Sequence, residues 1–116
     1  MSSSFQAISI SDYVTELAPT LKPPVANRVW FLGTKFFVMI VAGPNKRDDF
    51  HYQPGQELFF QLMGPMNVNI MEDGVRKGVP IQEGEMLLLP DYVQHSPQRF
   101  PDTIGTILLA YVEWNS

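Results

Sequence analysis

From residue 35 onward the chain is a succession of short β-type runs, each cut off by turn residues, and this punctuation decides what it can fold into. "KFFVMIVA" (35–42) is apolar throughout and reads as a strand buried on both faces. "MNVNIME" (66–72) alternates polar and apolar, and Asp73-Gly74 after it is a hairpin signal leading into "VRKGVPI". "QEGE" marks another turn, "MLLLP" a short buried strand and "TIGTILLAYVEW" a last strand. Ahead of these runs, "SISDYVTEL" fits a short helix capped by Ser9 or Ser11, with Tyr13, Val14 and Leu17 on one face. Pro19, Pro23 and Pro24 forbid its continuation, so "APTLKPPVANR" should lie as an extended arm. The expectation is an all-β sandwich or barrel forming one domain over 1–116. Residues 1–34 would be the helix and arm, and 35–116 the barrel core.

The bulk properties narrow the function classes. A length of 116 residues supports one real core. Hydrophobic residues at 45% and charged residues at 17% fit a folded soluble domain. The net charge of −4, with no basic run, argues against a nucleic-acid partner. No apolar run reaches the length of a membrane span, and the start "MSSSFQAISI" lacks the marks of a signal peptide, so the expected location is cytoplasmic. With no cysteine, any bound metal would have to be held by His, Asp, Glu or backbone oxygen. His51 and His95 are the two imidazoles of the chain.

In "HYQPGQELFF", His51 and Glu57 stand six residues apart, an even spacing that puts both on one face of an extended strand. A carboxylate aimed at an apolar interior needs a partner, and a metal ion is the usual one. The stretch resembles the first cupin motif, with Gly43 opening a loop, His51 and Glu57 following and Gly64 behind them. "GEMLLLPDYVQHSPQR" resembles the second, with Gly84, Pro90 and His95 in order. Two positions depart from the motifs: Gln53 stands where a second histidine is usual, and Tyr92 where glycine is common. The resemblance implies a cupin fold (a double-stranded β-helix or jelly-roll barrel) and a metal held by His51, Glu57 and His95. Two imidazoles and one carboxylate leave open positions on one side of an ion. That set suits Fe(II) oxygen chemistry, while the ligand types alone also admit Zn, Mn, Ni or Co.

"LKPPVANR", "GPNKRDDFH", "EGEMLLLP" and "HSPQRF" narrow the likeness to the 3-hydroxyanthranilate 3,4-dioxygenase family of tryptophan breakdown, over about 21–105. This resemblance implies an Fe(2+) enzyme that converts 3-hydroxyanthranilate and O2 to 2-amino-3-carboxymuconate semialdehyde, which cyclises to quinolinate on the way to NAD. It implies Arg47 and Glu57 as catalytic residues, and Arg99, Arg47, Glu57 and Asn27 as substrate contacts. Arg99 would take the ring carboxylate and Arg47 would sit near dioxygen, with Asn45 shaping the pocket and a homodimer as the assembly. Taken as single residues, Arg47 could instead pair with Asp48 or Asp49 on the surface, and Asn27 and Asn45 could be turn formers. The family's substrate-binding glutamate falls on Leu109 or Ala110, and the nearby acid, Glu113, would reach that position only after a register shift. The C-terminal end thus reads as a short, diverged version of a family that continues with further strands. Two alternatives follow: an iron cupin with a changed aromatic substrate, or an inactive cupin that binds a metal or small carboxylate.

Overall fold

The computed structural model describes residues 5–21, 27–33, 35–52 and 54–110. Helix α1 (Ile10–Leu17) starts where expected: the Ser9 side chain accepts from the Asp12 N–H, filling one of the orphan donors of the first turn. A 3-10 turn (Ala18–Thr20) follows, with Pro19 in it. Pro23, Pro24 and the middle of the expected arm lie outside the described residues.

The end of that arm is a strand and not a surface extension. β1 (Asn27–Leu32) pairs antiparallel with β2 (Phe36–Ala42), because "NRVWFL" is rich in β-branched and aromatic side chains that suit a pleated surface. The remaining strands are β3 (Glu57–Met63), β4 (Met66–Glu72), β5 (Val75–Ile81), β6 (Met86–Leu89), β7 (His95–Arg99) and β8 (Ile104–Ala110). They form a five-stranded sheet in the order β1-β2-β8-β3-β6 and a three-stranded sheet in the order β5-β4-β7. Between β4 and β5, Asp73 (φ 53°) and Gly74 (φ 76°) both adopt positive φ, as a two-residue type I′ turn requires. No helix among the described residues is long and apolar enough to cross a membrane.

The two sheets face each other across the main core. Val41, Phe59, Leu89 and Ile107 from the larger sheet meet Met66, Val68 and Ile81 from the smaller. A second cluster lies on the outer face of the larger sheet, where Val14, Leu17 and Leu21 cover Ile40, Ala42 and Ile104. Strand alternation divides the labour: Glu57, Phe59 and Gln61 of β3 point inward, and Leu62 points toward the helix.

Two strands differ from the sequence expectation. β2 is buried only toward its end, because α1 covers that part of the sheet alone. β6 is an edge strand with Met86 and Leu88 exposed, Leu89 buried in the core and Leu87 half-buried against it. Both read as wholly buried from composition, since an apolar run carries no information about which faces will be covered.

Gly43 sets the approach of the loop after β2. A Cβ there would run into the carbonyl oxygen of Phe100, and its N–H donates to the Thr103 carbonyl at 3.0 Å. Backbone, unlike a side-chain tip, cannot swing away. Gly43→Ala should therefore cost about 3 kcal/mol, read as a lower urea midpoint with unchanged m.

Candidate metal and carboxylate site

β3 opens with Glu57, and its inward phase aims the carboxylate into the space between the sheets, where it is 6% exposed. β7 opens with His95 on the opposite sheet, 3% exposed. The two meet with His95 Nε2 2.8 Å from Glu57 Oε2. Among the described residues neither atom has a hydrogen-bond partner, so the approach is close without the geometry of a hydrogen bond. His95 Nδ1 lies 2.8 Å from the Val93 carbonyl, which can only accept, so the neutral ring keeps its proton on Nδ1. Nε2 then presents a lone pair to the carboxylate's lone pairs. Such a pair is stable only with a positive species between or beside them, either a proton or a cation. Two ligands in adjacent positions on a metal at about 2.1 Å stand about 3 Å apart, so the observed spacing fits a shared ion. The chemistry of this donor pair passes the test for a metal.

His51 reaches the site by another route than strand parity. The described residues between them, 52 and 54–56, form no strand, and Gly55 turns the chain at φ 96°, so the even spacing to Glu57 carries no facing information. Instead His51 bridges His95 through two backbone hydrogen bonds (2.7 and 3.0 Å), with the rings 5.6 Å apart. Its Nε2 is turned to Asp49 Oδ2 at 3.7 Å. Among the described residues no three donors surround one point. The structure thus brings Glu57 and His95 together and holds His51 beside them. Gln53 lies outside the described residues.

Arg99 is 2% exposed, and burial pushes its guanidinium down to about 10, the nearby Glu57 charge opposing this, so it is still charged at neutral pH. Nη1 donates to Gln61 Oε1 at 3.2 Å, and the Gln61 amide in turn donates to the Gly64 carbonyl. Nη2 has no partner. A buried cation with an open edge and one neutral acceptor is suited to a carboxylate, which can take a guanidinium edge with both oxygens. Gln61 and Gly105 flank the Arg99 guanidinium, and the sequence reading did not single them out. A Cβ on Gly105 would strike Gln61 Oε1 and come within 2.7 Å of Arg99 Nη1, so the glycine makes room for the pair. A glycine inside the run "TIGTILLA" was the available signal.

The other expected residues sit further out. Arg47 makes a two-pronged ion pair with Asp49 (3.1 and 2.9 Å) at the surface, which holds the Asp49 carboxyl below its usual range. That is the surface pairing foreseen for it. Asn45 bridges Arg99 through its backbone. Asn27 is exposed and pairs with Val41, in the cross-strand row that continues through Gly105 to Gln61, so it stands on the inner face. Of the two positions aligned with the family's glutamate, Leu109 pairs directly with Glu57 and packs on the inner core, while Ala110 pairs with Phe36 one step out of that phase. Glu113 lies outside the described residues.

Known proteins resemble the chain at two levels. Residues 1–111 match the model of the 3-hydroxyanthranilic acid dioxygenase family. A 3-hydroxyanthranilate 3,4-dioxygenase of Xanthomonas oryzae pv. oryzae is 45% identical over 101 residues, 87% of this chain and 57% of that protein. One of Xenopus laevis is 43% identical over 101 residues, 87% of this chain and 36% of that one. The chain therefore spans little more than half the length of the bacterial relative. In fold it is similar to a Neisseria meningitidis protein (TM-score 0.71, 17% identity, 91% of this chain and 100% of that one). It is also similar to a cupin-2 domain protein from Shewanella frigidimarina (TM-score 0.70, 18% identity, 90% and 95%). The expected cupin fold is borne out.

The Glu57–His95 pair yields a pH signature in metal-free protein. Burial alone depresses His95, but the Glu57 carboxylate and the Val93 carbonyl outweigh it and raise it above its ordinary value. A raised folded value gives stability that is complete below about pH 6.5 and lost as pH rises through the higher value. His51 shifts down, through burial and then the Arg47 charge, and has the opposite sign. The difference in Tm between wild type and His95→Gln, measured in chelator, removes the part of the His51 contribution that burial and the Arg47 charge set. It should be largest near pH 6 and shrink as pH rises.

Proposed function

The chain belongs to the 3-hydroxyanthranilic acid dioxygenase family, and from that premise we propose that it is an Fe(II)-dependent ring-cleaving dioxygenase. The proposed substrate is 3-hydroxyanthranilate, opened with O2 to 2-amino-3-carboxymuconate semialdehyde, which cyclises to quinolinate. The observation that carries this reading is the buried Glu57–His95 pair, two facing acceptors without a hydrogen bond, beside the open edge of Arg99 in the same interior.

Glu57, His95 and His51 would hold the iron. Ferrous iron supplies open coordination positions and the electron transfer that spin-restricted dioxygen requires. The remaining work belongs to the chain. The Val93 carbonyl fixes the tautomer of the neutral His95 ring, so that Nε2 is the nitrogen free to bind a metal. Arg99 takes the ring carboxylate through Nη2, with Gln61 holding the other side of the guanidinium in place. That grip fixes the ring's orientation, the chief contribution a binding group makes to such a reaction. Burial of Glu57, His95 and Arg99 excludes water and strengthens each of these interactions. To act near dioxygen, Arg47 must release Asp49, an exposed pairing that solvent screens and so gives up readily.

Leu109 supports a second reading, the same iron chemistry on a different aromatic carboxylate. It places an apolar side chain directly across from Glu57, where the family's glutamate would accept a hydrogen bond from substrate.

The test is anaerobic loading with Fe(II), addition of 3-hydroxyanthranilate in air and measurement of semialdehyde absorbance, with His95→Ala as control. Product from wild type, and a loss of at least about a thousandfold in the variant, is expected for removal of a metal ligand. An iron-loaded wild type that forms no product would sink the assignment of this substrate. Turnover of another aminophenol or hydroxybenzoate carboxylate would then favour the second reading.

A further inference from the structure

Segment 45–51 lies antiparallel beside β7 and is tied to it at both ends. Asn45 and Arg99 exchange backbone hydrogen bonds of 2.8 and 2.7 Å, and His51 and His95 exchange bonds of 2.7 and 3.0 Å. Between these ties the segment uses seven residues (45–51) against five of β7 (95–99), so it bulges away by two. A bulge leaves peptide groups with no partner opposite. The position facing it on β7 is Pro97, which has no N–H to offer.

The Arg47 N–H and carbonyl are among the groups left over, and the Gln98 side chain takes both. Gln98 Nε2 donates to the Arg47 carbonyl at 2.7 Å, and Gln98 Oε1 accepts from the Arg47 N–H at 3.3 Å. The Ser96 hydroxyl adds a third contact to the same carbonyl at 3.2 Å and lies 3.1 Å from Gln98 Nε2. A primary amide carries one acceptor and donors in the geometry of a peptide group, so glutamine can complete a ladder where the backbone cannot.

We propose that Gln98 is a positioning residue: its amide substitutes for a strand partner and fixes the Arg47 backbone against β7, the strand that also carries His95 and Arg99. With its Cα fixed, Arg47 has a defined arc, which includes the observed pairing with Asp49. This inference rests on the reading above, in which Arg47 serves dioxygen and substrate. It assigns the reach of Arg47 to a side chain that touches neither.

Gln98→Met keeps the length and removes both bonds, and Gln98→Glu keeps the acceptor and loses the donor. Hydrogen exchange across 45–51 should accelerate about tenfold in the methionine variant and less in the glutamate variant, with the β3 and β8 peptides unchanged. Turnover number for 3-hydroxyanthranilate should fall by about tenfold, while Co(II) affinity, measured by chelator competition, stays within about twofold. Unchanged exchange in Gln98→Met would overturn the proposal. So would a fall in Co(II) affinity matching the fall in turnover, which would mean that Gln98 serves His51 and not Arg47. A wild type that turns over no 3-hydroxyanthranilate would overturn the dioxygenase reading instead, and the exchange measurement would still decide whether Gln98 holds Arg47.

Discussion

The structure depends on one unresolved contact, the 2.8 Å approach of His95 Nε2 to Glu57 Oε2 between the two sheets. Each group is delivered by the first residue of a strand, one from the larger sheet and one from the smaller. Their separation therefore reports how the sheets are set against each other. Burying a carboxylate against an imidazole lone pair is unfavourable by itself. It persists because Phe59, Val68, Met66 and the rest of the core pack around it and favour the closed sandwich regardless. The core thereby holds two acceptors in the one arrangement that a proton or cation would complete.

β7 is the economical part of this design. In five residues it supplies His95 to the carboxylate, Arg99 to the interior, and Ser96 and Gln98 to the neighbouring loop. Alternation makes this possible: the odd residues point inward, and the even ones are free to hold the chain that passes alongside. Pro97 falls in the odd set, and its missing N–H faces the bulge, where the Gln98 amide supplies a donor to the Arg47 carbonyl instead. A proline in mid-strand is tolerated here for that reason.

The β pattern, the Asp73-Gly74 hairpin and the Ser9 cap were legible in the sequence, and so were Glu57, His95 and Arg99 as a group that the structure buries, with His51 beside it and Arg47 at the surface. β7 itself was not, because "HSPQR" is short, polar and interrupted by proline, and only pairing with β4 makes it a strand. The reason for grouping His51 with Glu57 was also wrong in physical terms. Parity holds along an unbroken strand, and Gly55 breaks this one; the two histidines come together by long-range pairing, which no local pattern records. Tyr92 shows the converse. The motif prefers glycine there, and the structure shows why: the position takes φ 60°, which Tyr92 adopts while its ring packs 5.3 Å from that of Tyr52. Whether Leu109 or Ala110 faces the site was a question of register, and the pairing of Leu109 with Glu57 answers it.

The charges of the interior also constrain what can enter it. With His95 neutral, the negative Glu57 and positive Arg99 nearly balance, each lacking a full set of partners. A carboxylate arriving alone would satisfy Arg99 but add a second negative charge near Glu57. A divalent cation arriving alone would satisfy Glu57 and His95 but act on Arg99 as a like charge. Each guest carries an electrostatic cost that the other removes, in an environment where such costs are large. On the proposed reading the site is therefore cooperative: an anionic aromatic chelate and a divalent ion should each bind more tightly in the presence of the other. A neutral ligand of the same shape gains nothing from the ion's charge, so on the same reading the interior would select carboxylates before any contact with the ring is made.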